Sequence, residues 1–380
     1  MRTGTPGFVA GRLTEAREAR GLTQTSLSEA TGIKSQSISH YEQGRQSPSP
    51  EALALLCGAL SLPERFFLRN PPRFSSKGAF FRHPLAAARV PARQARLRAE
   101  RRLGWLKEIA LYVGKLVALP EVALPAFPLA PDAALDDVEQ LAVEFRRLLG
   151  LGTGPLANVI QFLEARGCIV SRCPMEPDLE GSCSLFEAGI PYVLLGSDEP
   201  RLSWLRYHAA RELGHLVMHR HLDDFTIEDS DAHRHLETQA DRFARALLLP
   251  AAVFPQEVWA PTIDALLTLK KHWRCPVSVM VSRCGELGLF DPDQVRRATV
   301  NLVRRGWKTS EPREEDAELE NPRLLARSIR LLVDGGPRDR YAIVTELGLN
   351  AGDIEELAGL PRGFMSTAPE GEMAELHLRA

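Results

Sequence analysis

Apolar positions near the N-terminus recur at helical spacing in three short stretches. Phe8, Val9, Leu13 and Ala16 form the first, which ends at Gly21; Leu27 and Ala30 follow Thr23, a good N-cap, and stop at Gly32. Ile38 and Tyr41 lie on the inward face of a third segment, from about Lys34 to Gln43, closed by Gly44. Two short helices joined by a glycine-containing turn make a helix-turn-helix candidate. A longer amphipathic helix carries Leu103, Leu106, Ile109 and Val113. Beyond a Pro- and Ala-rich stretch, "DVEQLAVEFRRLLGL" predicts a helix, "LANVIQFLEARGCIV" a helix running through Gly167 into a strand, and "GIPYVLLG" a second strand. "RLSWLRYHAARELGHLVMH" turns Leu205, Ala209, Leu213 and Leu216 toward a core, and "ETQADRFARALLLP" is a further helix ended by Pro250. The predicted fold class is mainly α with a small β component. The segments are a helix-turn-helix domain at 8–67, a basic connector and helix at 68–116, and a Pro/Ala-rich linker at 117–138. A central domain at 139–308, a polar linker at 309–322 and a helical C-terminal region at 323–380 complete the chain.

A chain of 380 residues suggests two or three domains. No apolar run approaches the roughly 18 residues needed to cross a bilayer, so no membrane partner is expected. The N-terminal stretch lacks the continuous apolar core of a secretory signal, which predicts a cytoplasmic protein. Six cysteines without a C-x-x-C pair fit reduced thiols better than a disulfide framework. Net charge is −2 but uneven: residues 63–108 carry twelve Lys and Arg against three Asp and Glu, while residues 1–62 are nearly balanced. Such a basic segment beside an acidic body suggests that a polyanion meets the N-terminal part.

The pattern L-T-Q-x-x-L-x-x-x-x-G-I-x-x-x-x-I-S-x-Y-E-x-G, from Leu22 to Gly44, resembles the XRE (Cro/C1-type) helix-turn-helix domain. The resemblance implies a five-helix domain whose third helix enters the major groove of a double-stranded DNA operator, and a homodimer reading paired half-sites. It places Gln24 and Arg45 at the phosphate backbone, and Ser35, Gln36, Ser37, Ser39 and His40 on the outward face of the recognition helix. Gln36 is the best base reader, since its amide can pair bidentately with adenine. Lys34 stands where the family usually has the Ser or Thr cap, so Ser35 is expected to take over the capping. Seven arginines between Arg82 and Arg102 read either as a solvated helix face or as added phosphate contacts. A DNA-bound cytoplasmic protein would be nucleoid-associated.

"HAARELGHLVMH", residues 208–219, has the outline of a zinc peptidase helix, in which His-Glu-x-x-His sets two imidazoles one turn apart on one face. Together with E-x-x-A-D-x-F-A-x-x-L-L-x-P from Glu237 to Pro250, it is similar to the ImmA/IrrE (DUF955) metallo-endopeptidase family, which implies a zincin-like domain. Carried over, Glu212 is the general base, His215 and Glu237 are zinc ligands, and Asp241 orients them from one turn further on. The first ligand is replaced by Arg211, whose guanidinium has no lone pair to offer. An ion pair from Arg211 to Glu212 or Glu237 then substitutes for the metal charge, and no cofactor is expected. Zinc returns as a possibility only if His208 or His219 stands in for the lost ligand. The His-rich stretch 219–235 is expected as a loop over the site. The leading function is a DNA-binding transcriptional regulator whose central domain is a non-catalytic sensor of a small-molecule ligand or protein partner. The alternatives are an active zinc endopeptidase that cleaves a repressor, and an antitoxin-like protein-binding module.

Overall fold

In a computed structural model of the chain, residues 4–82, 90–175, 181–199, 201–307, 310–314, 318–336 and 338–366 are described. Five helices open the chain: α1 (Ala10–Ala19), α2 (Gln24–Thr31), α3 (Ser35–Glu42), α4 (Pro50–Leu60) and α5 (Glu64–Phe67). Thr23 caps α2 by accepting the Ser26 N–H at 3.0 Å, and Gly32 closes it in the left-handed region at φ 71°. Leu13, Ala16, Leu27, Ile38, Leu53 and Leu56 are all buried between these helices, each large side chain contributing roughly 1.5–3 kcal/mol. The expected transfer of the cap to Ser35 does not occur: the helix starts at Ser35, Lys34 occupies the cap position, and no side chain bonds the free N–H groups.

Next come β1 (Phe80–Phe81), α6 (Val90–Gly114), α7 (Leu135–Leu148), α8 (Val159–Ala165), β2 (Ile169–Cys173), β3 (Ser182–Glu187) and β4 (Ile190–Gly196). The long helices α9 (Leu202–Met218) and α11 (Ser230–Leu248) flank a short α10 (Asp224–Glu228). They are followed by α12 (Phe254–Glu257), α13 (Ile263–Trp273), α14 (Val277–Glu286) and α15 (Pro292–Arg304), then by α16 (Leu324–Asp334), α17 (Arg340–Leu347) and α18 (Ala351–Ala358). The fold is mainly helical, with one small mixed sheet in the order β1, β3, β4, β2. β3 and β4 form an antiparallel hairpin joined by Ala188 and Gly189, both at positive φ (51° and 84°), the backbone a two-residue type I′ turn requires. β3 was not anticipated from the sequence. The stretch 219–235, expected as a loop, is instead largely helical, because Asp229 accepts the Asp231 and Ala232 N–H groups and starts α11 there.

The compact units do not follow chain order. One gathers the described residues of 1–75, 97–119 and 323–380; the other gathers those of 76–96 and 120–322. In the first, Leu103, Leu106, Ile109 and Val113 of α6 are fully buried, as their spacing predicts. The C-terminal helices join this unit through polar contacts: Arg20 forms two 2.6 Å bonds to the Asp353 carboxylate, and the Asn350 amide donates to the Ser61 carbonyl at 2.7 Å. The second unit has its own apolar core, from Leu124 to Trp307, in which α9 and α11 pack most closely. Gly214 permits that approach: a Cβ there would lie 3.1 Å from the Phe243 ring and 3.4 Å from Ala240 Cα. All six cysteines are free thiols.

Candidate functional site

Close packing of α9 on α11 sets Arg211, Glu212 and His215 against Glu237. The Arg211 side chain is 2% exposed, and its Nη1 donates to Glu237 Oε2 at 3.1 Å. Nη2 donates to Glu212 Oε1 at 3.1 Å and to Ser182 Oγ, on β3, at 3.0 Å. The Ser182 hydroxyl in turn donates a hydrogen bond to Glu212 Oε1 at 2.7 Å. Arg82 adds a second guanidinium, 2.7 Å from Glu237 Oε2 and 3.6 Å from Asp241 Oδ2, while Asp241 Oδ1 accepts from the Tyr207 hydroxyl at 2.9 Å. Burial alone would lower the Arg211 pKa, but the carboxylates of Glu237 and Glu212 outweigh it and raise the value. For Glu237 burial pushes the other way and Arg211, with His215, wins, holding the carboxyl well below the usual range.

The histidines are ordered by a relay that begins at Gln239. Its Nε2 donates to the carbonyls of Ala130, Pro131 and Ala133, so its Oε1 must accept, and His219 Nε2 donates to it at 2.9 Å. His219 Nδ1 therefore accepts, at 3.0 Å, from His215 Nδ1. His215 Nε2 lies 3.2 Å from Glu237 Oε1. Phe80 of β1 stacks on the His215 ring at 4.5 Å. Burial, helped by His215, pushes the His219 pKa down to about 3; burial, helped by Arg211, does the same to His208.

The outward face of α3 is built differently. Gln36 and Arg45 are exposed, and among the described residues neither makes a side-chain hydrogen bond or ion pair. Ser35, Ser37 and His40 flank Gln36 and are half-buried, and Ser39 accepts from Gln43 Nε2 at 3.1 Å. Gln24 points back into its own domain, where its amide donates to Glu42 Oε2 at 2.7 Å; Arg17 grips the same carboxylate at 2.6 and 3.0 Å.

Residues 13–67 match the helix-turn-helix family, and residues 184–284 match the IrrE N-terminal-like domain. The chain joins an XRE-type helix-turn-helix domain to an IrrE-like domain. No curated protein matches it. The helix-turn-helix domain places the chain among DNA-binding regulators. No helix among the described residues is long and apolar enough to cross a membrane.

A zinc ion does not fit the IrrE-like domain as it stands. Arg211 directs a guanidinium at both carboxylates a metal site would use, and both nitrogens of His219 are spent within the relay. His208 lies one turn before Arg211 on α9, its ring 5.7 Å from that of Trp204. Among the described residues, no group of three or more His, Cys, Asp or Glu side chains is arranged to hold a metal ion. Asp241 does not touch the histidines or Glu237; it reaches Glu237 only by way of Arg82.

Ser182, Arg82, Phe80 and Gln239 were not singled out from the sequence. "FEAGIPY" carried a hairpin signal that would have found the strand bearing Ser182, whereas Arg82 read only as one more charge in a basic run. That run is largely neutralised internally. Besides Arg82, Arg96 pairs with Glu228 at 2.6 Å, Arg101 with Glu18 at 2.7 Å and Arg102 with Glu356 at 3.0 Å, so these four already hold carboxylate partners. Arg93 is exposed, and Arg89 lies outside the described residues.

Proposed function

We propose that the chain is a sequence-specific transcriptional regulator that binds a double-stranded operator as a homodimer, and that its IrrE-like domain is a non-catalytic sensor. The observation that carries this reading is the Arg211 guanidinium, bonded at once to Glu237, Glu212 and Ser182 at the position of the absent first histidine. A permanent cation there supplies the positive charge the two carboxylates require and offers no lone pair. Arg211 and Ser182 both donate to Glu212 Oε1, so this oxygen is spent within the cluster. The exposed, unpaired Gln36 and Arg45 support base and phosphate contact at the other end of the function.

The deciding measurement is metal content by elemental mass spectrometry, on protein purified without a histidine tag or chelator. The reading predicts no zinc in the wild type and zinc uptake by Arg211→His, which restores an imidazole opposite His215 and Glu237. Near-stoichiometric zinc in the wild type would overturn the non-catalytic assignment and favour an endopeptidase.

A further inference from the structure

Beside Arg211 lies an open pocket of about 290 Å³, lined by Arg82, Trp204, His208, Arg211, Arg245 and Ser278 among others. Among the described residues, four buried atoms of these walls have no hydrogen-bond partner: Trp204 Nε1, Arg211 Nε, His208 Nδ1 and Ser278 Oγ. Leaving buried polar groups unsatisfied is costly, so such a set calls for a partner that the protein itself does not supply. The inventory is one-sided. Indole and guanidinium N–H groups can only donate, whereas the Ser278 hydroxyl and the His208 imidazole nitrogen can each donate or accept. Among the described residues Asp241 is the sole carboxylate on the wall, and it is already committed to the Tyr207 hydroxyl and to Arg82. A cation would meet three guanidinium groups; an anion would meet donors. The Trp204 ring and Val279 add an apolar surface for the remainder of a ligand.

We propose that this cavity binds a small organic anion, a carboxylate or phosphate carried on a planar apolar group, and that this is the ligand the domain senses. The inference rests on the non-catalytic reading, because the guanidinium that closes the metal position is also the cavity wall. It is tested on the full chain by thermal unfolding with matched probes: benzoate and phenyl phosphate as anions, benzyl alcohol as the neutral form and benzylamine as the cation. The anions are expected to raise the unfolding midpoint by roughly 5–10 °C at a hundredfold excess over Kd, with no shift from benzylamine. Benzoate against phenyl phosphate tells which anion is preferred. Trp204→Phe and Ser278→Ala, both conservative in volume, should each weaken the preferred anion by about fivefold. Zinc is measured on the same preparation. Zinc-free protein that responds equally to benzoate and benzylamine, to none of the probes, or undiminished in both variants overturns this inference alone. Near-stoichiometric zinc overturns the non-catalytic reading and this inference with it.

Discussion

The recognition helix and the Arg211 cluster are equally rich in polar side chains, yet they spend them in opposite ways. On α3, Gln36 and the nearby Arg45 stand in solvent with their hydrogen-bonding capacity unused. Between α9 and α11, Arg211, Glu212, His215, Glu237 and His219 are buried and bonded mainly to one another. Exposed groups without internal partners can be given to a ligand at little cost to the fold, while buried groups that satisfy each other cannot be removed singly without stranding a charge. Both regions keep the outline of their family's motif. Only the first leaves its groups in open solvent.

Arg211→Ala should give the largest effect. It leaves Glu212 and Glu237 buried without their main cation, and a loss of about 3–5 kcal/mol is expected in denaturant unfolding. Unchanged stability would erase the contrast, showing that the cluster is no more structural than the recognition face.

Acid should act on the same cluster. His219 has a folded pKa pushed down to about 3, against about 6.5 for an unfolded imidazole, so the unfolded chain binds more protons between those values. Stability therefore falls as pH drops below about 6.5, by up to about 1.4 kcal/mol per pH unit for this one group. Glu237, with its carboxyl held low, adds a further loss once the pH passes below about 4.5. A stability profile flat from pH 7 to pH 4 would contradict the buried, neutral His219 described above.

Gln36→Ala tests the other side of the comparison. Operator affinity should fall by about 1–3 kcal/mol, with specificity relaxed at one base pair, while the unfolding midpoint stays within about 0.5 kcal/mol of wild type. A large stability loss with unchanged affinity would mean that Gln36 serves the fold. The smallest effect is expected at Lys34, where the cap position is filled without a capping bond. Lys34→Ser should add about 1 kcal/mol to the stability of the DNA-binding domain, measured by thermal unfolding; no gain would show that the N-terminus of α3 is satisfied in another way.

What could be read from the sequence divides along the same line. Helical periodicity, glycine stops and two long motifs placed α2, α3, α9 and α11, because each is encoded within one turn or two of its own residues. The partners that complete the Arg211 cluster are not encoded locally. Ser182 and Phe80 arrive on strands too short or too polar to stand out, and Arg82 comes from a run whose charge suggested nucleic acid and whose pairing with Glu237 spans 155 residues. The start of α11 was obscured by the polarity of "EDSDAHRH", although Asp229 was a legible cap. The motifs alone pointed Arg211 at Glu212 or Glu237; that it takes both, with Ser182 as a third partner, needed the tertiary structure.

The DNA-binding unit draws its polypeptide from both extremities of the chain. Arg20 and Asp353 meet across 333 residues. At translation rates of roughly 5–20 residues per second, the first helices leave the ribosome on the order of tens of seconds before α17 and α18 exist. During that interval the nascent recognition helix waits on a scaffold that lacks its C-terminal brace. Closure of so long a loop makes completion of the reading head a late event relative to the making of its first helices.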